Sequence, residues 1–508
     1  LKIKRKGVRK ELKAMARKRT PTYTIEFPIT IPTWQQHRLE KKFKMARVVY
    51  NSCLGEALKR HQAIKSDKEY RILLKKPKSK ERDRLLSNIR LNYSFSEYGI
   101  HSFVKSVQKK FKEHIGSFEA QKLATRAFQA VEKLHFGQSK KVHFKNNTDD
   151  ISVENKSNKT GLRFAKGNIL WGDKPTKKNP KPKNWLCVPV SPKPNDEYAH
   201  LALMDQTKYV RILKREVRGK VRYFVQLIQG GYPPKKRNRK VCNDETKRVG
   251  IDIGTSTIAI CSDEKVQLQE LAPECKVDES NLRRIQRKMD RSKRKTNPTN
   301  FNENGTIKEG RLSWTYSKNY EKLRKKRKEF YRKISVQRKM SHEKLANEIL
   351  CLGSDIRVET MRFHSLQKRS KNTTRNKKNG KINRKKRYGK SIARRAPAIL
   401  LTIIDRKLGY QGRCLKKINT YATKASQFNH ITGEYRKKQL SERWNNFGQI
   451  LIQHDLYSAF LISNTNETLN SVDIDLCNEK WNKFVKLHNL EVERLKQSQD
   501  RTLRWFVA

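Results

Sequence analysis

Val249-Gly250-Ile251-Asp252-Ile253-Gly254 is the stretch on which the reading of this chain turns. Aliphatic residues alternate with glycine and a single carboxylate, the pattern of a buried strand, and residues 257–261 follow closely enough to be its hairpin partner. Two further acids stand at comparable places. Glu359 ends a short strand, Asp355-Ile356-Arg357-Val358-Glu359, and Asp455 opens an apolar helix, Asp455-Leu456-Tyr457-Ser458-Ala459-Phe460. Singly, each acid reads as a local salt-bridge partner. Together, carboxylates from a strand, a second strand and a helix are what a two-metal phosphodiester hydrolase needs. Mg²⁺ (or Mn²⁺) favours carboxylate and water oxygens, and two ions can activate the attacking water and stabilise the leaving oxygen. Asp252, Glu359 and Asp455 are therefore the candidate catalytic and metal-holding residues.

The surrounding composition gives those acids their weight. The chain has 508 residues, with 118 Lys plus Arg against 49 Asp plus Glu, a formal net charge of +69. Like charge on that scale strains a compact fold unless a polyanion neutralises it, and nucleic acid is the obvious polyanion. The apolar fraction is low, 35%, but falls in periodic runs, so the chain is not a disordered tail. No stretch approaches the ~20 apolar residues of a membrane helix, and the basic N-terminus lacks the apolar run of a secretory signal. The eight Cys are scattered without a CxxC pair and read as reduced thiols of a cytosolic protein. The first residue is Leu, so a start farther upstream is expected.

Outward from the central strand the chain divides by pattern. Residues 1–20 read as a basic arm and 21–31 hold a short strand. Residues 32–135 form a basic helical region, with Leu39, Phe43, Ala46, Tyr50, Leu54 and Leu58 on one stripe of its first helix. Residues 136–247 return to strand signals, with a hairpin about Arg218-Gly219-Lys220. A small antiparallel barrel or sheet, which the strand at 23–29 could complete, is the simplest architecture. Residues 248–420 carry the strands of the acids, interrupted by a long basic helical insertion at 279–348. The segment 360–404 contains no Asp or Glu. The final acidic helix lies in 447–465, and 466–508 is a helical C-terminal segment.

Gly250-Ile251-Asp252-Ile253-Gly254, Val358-Glu359, and Asp455 followed by Ala459 resemble the three RuvC motifs of TnpB proteins, transposon-encoded RNA-guided DNA nucleases related to compact type V CRISPR effectors. Residues 282–288, 337–345, Tyr50-Asn51 and 141–145 are also similar to the family, in its order, over about residues 21–465. The resemblance implies an α+β multidomain fold. Its parts are a RuvC (ribonuclease-H-like α/β) nuclease domain, a small β-barrel wedge domain and a helical recognition domain. It implies a guide RNA and target double-stranded DNA as partners, a single Mg-dependent RuvC site, no membrane, and a place in the prokaryotic cytosol or on the nucleoid. Oligomeric state stays open. The guide could equally come from a CRISPR array.

By family position, Phe95, Tyr98, Gln121 and Thr125 are nominated to contact a short flanking DNA motif. Arg283, Arg284, Arg287, Lys288, Lys385 and Arg387 are nominated for nucleic-acid backbone. Phe363, Trp314 and Tyr316 stand beside basic residues and could stack on bases. One departure stands out. The family carries a zinc ribbon of two CxxC pairs before its last acidic helix, but residues 421–446 contain no Cys. His430 alone cannot make a tetrahedral site, so no zinc is expected and a short loop and basic helix should take the ribbon's place. Two rivals are weighed. A sugar kinase of the actin-like fold would share the Gly250–Thr257 stretch, but no second phosphate loop or Gly-Gly adenosine segment follows. A non-cleaving RNA-guided DNA-binding protein would be expected to have lost acids of the triad, and all three are present.

Overall fold

The computed structural model describes residues 20–147, 149, 151–173, 185–235, 242–244, 246–368, 372–376, 380, 382–383, 388–437 and 442–507. Of the segments read above, residues 1–19, most of the Pro- and Lys-rich loop at 174–183, and Lys385 and Arg387 lie outside the described residues. The chain forms two compact units, Leu1–Arg237 and Asn238–Ala508. No helix among the described residues is long and apolar enough to cross a membrane.

In the first unit, β1 (Thr22–Ile29) buries every second residue, Tyr23, Ile25, Phe27 and Ile29. Pro32 ends its approach to α1 (Thr33–Ser66), whose buried stripe includes Leu39, Phe43, Ala46, Tyr50 and Leu54. Asp67 and Ser79 cap α2 (Lys68–Lys75) and α3 (Lys80–Asn92), on either side of Pro77. Next come α4 (Glu97–Lys109), capped by Ser96, and α5 (Ser117–His135). Strands β2 (Ile151–Glu154), β3 (Arg163–Ala165), β4 (Asn168–Trp171) and β5 (Leu186–Pro189) precede a helix the sequence did not disclose, α6 (Glu197–Met204). The hairpin β6 (Thr207–Val217) and β7 (Lys220–Gly230) turns at Arg218 and Gly219, both with positive φ, as a two-residue primed turn requires.

The isolated first strand does join this region, pairing along its whole length antiparallel to β7, from Thr22↔Gly230 to Ile29↔Tyr223. The expected barrel over 136–247 is corrected. Hydrogen bonding resolves it into a four-stranded sheet, β1-β7-β6-β2, and a separate three-stranded sheet, β3-β4-β5. The four-residue β2 pairs with β6 of the long hairpin, whereas β3, β4 and β5, of three or four residues each, pair among the described residues only with one another.

The second unit is built on β8 (Arg248–Ile253), β9 (Thr257–Ser262) and β10 (Val266–Glu270), an antiparallel meander. The helical pair α7 (Glu279–Thr296) and α8 (Lys318–Leu352) leads to β11 (Asp355–Glu359), which lies parallel to β8. Short helices α9 (Phe363–Leu366) and α10 (Gly389–Arg395) precede α11 (Pro397–Gly409). Then come β12 (Lys416–Ile418), parallel to β11, and the four-residue α12 (Thr420–Thr423). The chain closes with β13 (Trp444–Phe447), β14 (Ile450–Gln453), α13 (His454–Ser463), α14 (Ile474–Lys496) and α15 (Arg501–Trp505). The five-stranded order is β10-β9-β8-β11-β12.

Alternation along the central strands assigns their faces. Val249, Ile251, Ile253, Ile356 and Val358 pack with Leu345 and Ile349 of α8 and Leu400, Ile403 and Ile404 of α11. The other side of the sheet packs with α13 and α14 through Leu268, Phe460, Phe484 and Leu495. Two expectations near the end of the chain are corrected. The final helix begins at His454 rather than 447, because Gly448, at φ +70, turns β13 into β14. A basic helix between 424 and 446 is absent among the described residues. The loop there is centred on His430, buried against Phe447, Tyr457, Phe460 and Trp481, with Nδ1 2.7 Å from the Tyr457 hydroxyl.

Candidate functional site

Gly250 explains how the acids meet. A Cβ on this residue would lie 2.0 Å from the Ala459 carbonyl oxygen and 2.4 Å from the Ser463 nitrogen. Only glycine lets the backbone of α13 rest directly on β8. The first turn of α13 thereby comes beside the carboxyl end of β8, bringing Asp455 to Asp252. Asp455 sits in that first turn, where the free N–H groups and helix dipole favour negative charge, and Gln453 caps it by accepting from the Leu456 amide at 2.8 Å.

Strand pairing supplies the third carboxylate. Arg248 lies opposite Asp355 and Gly250 opposite Arg357, with Ile251 opposite Val358. The next position along places Glu359 beside Asp252, on the face that receives α13. Both acids therefore stand at the carboxyl ends of neighbouring parallel strands, where open α/β sheets hold their ligands.

The electrostatics of this cluster are those of uncompensated charge. Burial, then the charges of Glu359 and Asp455, push the Asp252 carboxyl well above the usual carboxylate range. Burial also raises Glu359. All three side chains remain partly accessible. Among the described residues no Lys or Arg forms an ion pair with any of them, in a chain of net charge +69.

The donor set is all carboxylate, which suits a hard oxygen-seeking ion such as Mg²⁺ and not a thiolate- or imidazole-seeking one. Among the described residues no three His, Cys, Asp or Glu side chains are gathered into a cluster that could hold one metal ion. Mg²⁺ keeps several waters and takes one or two protein carboxylates, so three acids shared between ions need not converge on a point. A zinc ribbon does not fit residues 421–453. They contain no Cys, and a single His there, His430, whose Nδ1 is taken by Tyr457, cannot supply four ligands.

The other nominated residues divide. Phe95 is 4% exposed and packs against Phe128 and His135, so its nomination as a DNA contact is corrected to a core residue. Thr125 Oγ donates to Glu97 at 2.7 Å and lies 2.8 Å from His101 Nε2, tying α5 to α4. Tyr98 is open to solvent and Gln121 is partly so. On α7, Arg283, Arg284, Arg287 and Lys288 are all exposed. The helix buries only Ile285 and Met289, against Leu323 of α8, and leaves its basic face in water. Arg283 reaches Glu279 at 3.3 Å and Arg284 reaches Asn281 at 3.2 Å. Of the proposed stacking aromatics, Phe363 is buried. Trp314 lies beneath Lys293 Nζ at 3.6 Å and edge-on to Phe301, and Tyr316 stacks on Tyr320. Tyr421 is a residue that sequence reasoning missed. It is exposed, on a cavity it shares with Glu359, and no periodicity marks it.

No protein-family model matches the chain, and no curated protein matches it. Among solved structures it is similar to a cryo-EM structure of a Cas12f1–sgRNA–target DNA complex. That match has 13% identity and a TM-score of 0.41, and covers 88% of this chain and 99% of the other. It is also similar to a CRISPR–Cas12f ternary complex, at 14% identity and a TM-score of 0.26, covering 90% of this chain and 85% of the other. Likeness at this level extends over most of the chain but carries no argument about chemistry, which rests on the carboxylates and the charge.

Proposed function

We propose that this chain is an RNA-guided DNA endonuclease with a single RuvC-type site formed by Asp252, Glu359 and Asp455. The observation that carries the reading is three carboxylates left without a cation among the described residues, in a chain of net charge +69, at the carboxyl ends of β8 and β11 and the start of α13. A sheet ordered β10-β9-β8-β11-β12, with the first three strands antiparallel and the last two parallel to β8, supports it. This is the strand order of ribonuclease-H-like sheets.

Asp252, Glu359 and Asp455 would hold Mg²⁺ (or Mn²⁺), which when bound supplies an activated water and stabilises the leaving oxygen of the phosphodiester. Asp252, between the other two, is the acid whose ionisation is most opposed in their absence from a cation, and so the one most relieved by a bound one. The exposed cations of α7 hold phosphates and carry no sequence information. Sequence would be read by pairing between a guide RNA and the target strand. No zinc is assigned to 421–453, and one tightly held zinc per chain in metal analysis would overturn that assignment.

The test is guided binding and cleavage side by side, on the protein with the RNA that co-purifies with it, sequenced to define a matching DNA target. Asp252→Ala, Glu359→Ala and Asp455→Ala should each keep binding and lose cleavage. Full cleavage by any one removes that residue from the site. Cleavage by protein stripped of RNA, with the same sequence preference, refutes the guide. Binding without cleavage by the wild type in Mg²⁺ leaves the non-cleaving reading.

A further inference from the structure

A cavity of about 690 Å³ opens beside Glu359, and Glu359 is part of its lining. Its apolar wall is made by Met361, Leu366, Ile418 and Leu469. Tyr421 of α12 stands on it, 77% exposed, and among the described residues its ring touches no other aromatic or cation. Arg362 and Lys417 stand on it too, both exposed and neither paired with a carboxylate among the described residues. This is a combination of three unlike groups: a free ring face, two free cations and one candidate catalytic carboxylate.

The geometry fixes these groups relative to the carboxylate. Thr360, the residue after Glu359, is tied to α12 and β12: its N–H donates to Thr420 Oγ at 3.0 Å, and its hydroxyl donates to the Ile418 carbonyl at 3.1 Å. Tyr421 is thus one residue from a side chain bonded to the neighbour of Glu359. The far wall is pinned as well. The Asn419 N–H donates to the Leu469 carbonyl at 2.9 Å, and Asn419 Nδ2 donates to Asn470 Oδ1 at 3.1 Å. A site whose supports are hydrogen-bonded in this way is preorganised for a ligand that reaches the carboxylate.

We infer that this cavity is the subsite for the strand being cut, in single-stranded form, with one unstacked base against Tyr421 and its phosphates on Arg362 and Lys417. A base in a duplex has no free face to offer the ring. An extruded or single-stranded base does, and base–aromatic stacking beside a cationic backbone track is how proteins hold such strands without reading sequence. The inference rests on the nuclease reading above and adds to it three positioning residues outside the carboxylate set, Tyr421, Arg362 and Lys417.

The test has two arms. In the first, the RNA-loaded Asp252→Ala protein is given a short oligodeoxythymidylate carrying one 2-aminopurine. Its fluorescence should be quenched, the quench should vanish in Asp252→Ala/Tyr421→Ala, and it should persist in Asp252→Ala/Tyr421→Phe. In the second, with the acids intact, Tyr421→Ala should raise KM for single-stranded DNA roughly ten- to hundredfold, with little change in kcat. Tyr421→Phe should recover the wild-type KM. Arg362→Gln and Lys417→Gln should raise KM and flatten its salt dependence. A Tyr421→Ala protein that cuts with the wild-type KM overturns the subsite and leaves the nuclease reading standing. Wild-type protein that cuts nothing in Mg²⁺ refutes the nuclease reading, while a Tyr421-dependent quench in the first arm would still uphold strand binding at the cavity. A quench that survives Tyr421→Ala overturns the subsite in either case.

Discussion

The two ends of the central sheet carry the same kinds of residue and treat them in opposite ways. At the amino end of β11, Asp355 accepts from Arg357 Nη2 at 2.7 Å and from Lys416 at 3.0 Å, and Arg248 lies 3.9 Å away. Glu467 closes the network with Arg248 at 2.5 Å and Arg357 at 2.9 Å. Burial alone would raise the Asp355 carboxyl, but these cations hold it below its usual range. Four residues on, at the carboxyl end of the same strand, Glu359 joins Asp252 and Asp455 with no cation among the described residues; burial raises both Asp252 and Glu359, and the neighbouring acids raise Asp252 further. The difference separates a compensated acid from uncompensated ones. Neutralised carboxylates hold the sheet to the loop after α13, whereas buried acids without compensation are the kind of perturbed group that marks a candidate site.

The largest effect expected from breaking this contrast is on chemistry. Asp252→Asn should lower cleavage on the order of 10⁴-fold, and the triple variant with Glu359→Gln and Asp455→Asn should be little worse, since residues acting as one unit are non-additive. In the same Asp252→Asn protein, hydrogen exchange across 248–262 should slow, because a repelled buried charge has been removed. Faster exchange there would mean that Asp252 is structural.

The paired end should respond with stability instead. Arg357 is fully buried and donates to Thr465 as well as to Asp355 and Glu467. Arg357→Met should cost about 1–3 kcal/mol, because Asp355 keeps Lys416 and Arg248 but loses its closest donor, and Thr465 loses one too; Asp355→Leu/Arg357→Met should cost less than that single change. Denaturant unfolding with exchange of peptides over 355–359 measures both. An Arg357→Met protein as stable as wild type would show that the network contributes nothing.

Acid sharpens the contrast by sign. Asp355 has a depressed carboxyl, so its stabilisation is full above the ordinary pKa of about 3.9 and is lost as pH falls through its lower folded value. Asp252 has a raised carboxyl, so its folded form takes up a proton before the unfolded chain does, and stability relative to Asp252→Asn improves as pH falls toward about 4. Buried His430, pushed down to about 4, adds a common loss between about 6.5 and that value, which cancels when variants are compared at each pH. The exchange advantage of Asp252→Asn should therefore shrink between pH 7 and pH 4, while that of wild type over Arg357→Met should hold across the same interval. Parallel curves would remove the electrostatic distinction between the two ends.

The smallest effect concerns metal. Mg²⁺ should slow exchange over 248–262 in wild type and not in Asp252→Asn, and should leave peptides over 416–418 unchanged in both. Equal protection at both ends would mean nonspecific ion binding.

Much of this was legible beforehand because strand and helix periods are local. The alternation at 249–253 and 356–358, the helical insertion at 279–348 and the Arg218-Gly219 turn all depend on neighbours in sequence, and all appear where the patterns put them. The failures were of longer range. Phe95 beside Tyr98 looks like an exposed aromatic pair, yet the packing of α5 buries one and leaves the other in water. The hairpin β13–β14 was hidden by a polar run whose only turn signal is Gly448. Tyr421 had no signal, since nothing in Asn419-Thr420-Tyr421-Ala422 says that Glu359 lies across a cavity from it.

Sequence alone determined that Asp355, Arg357 and Glu359 share one face of a strand, because side chains alternate with period two. It also determined that a chain of net charge +69 requires a polyanion. The strand's own pattern does not say which of the two acids in Asp355-Ile356-Arg357-Val358-Glu359 is paired with cations and which is left uncompensated. That was decided by tertiary structure, through Arg248 and Lys416 arriving from the two flanking strands at one end, and Asp252 and Asp455 arriving at the other. Charge compensation acts over a few ångströms in space whatever the distance along the chain, and for that reason no local pattern encodes it.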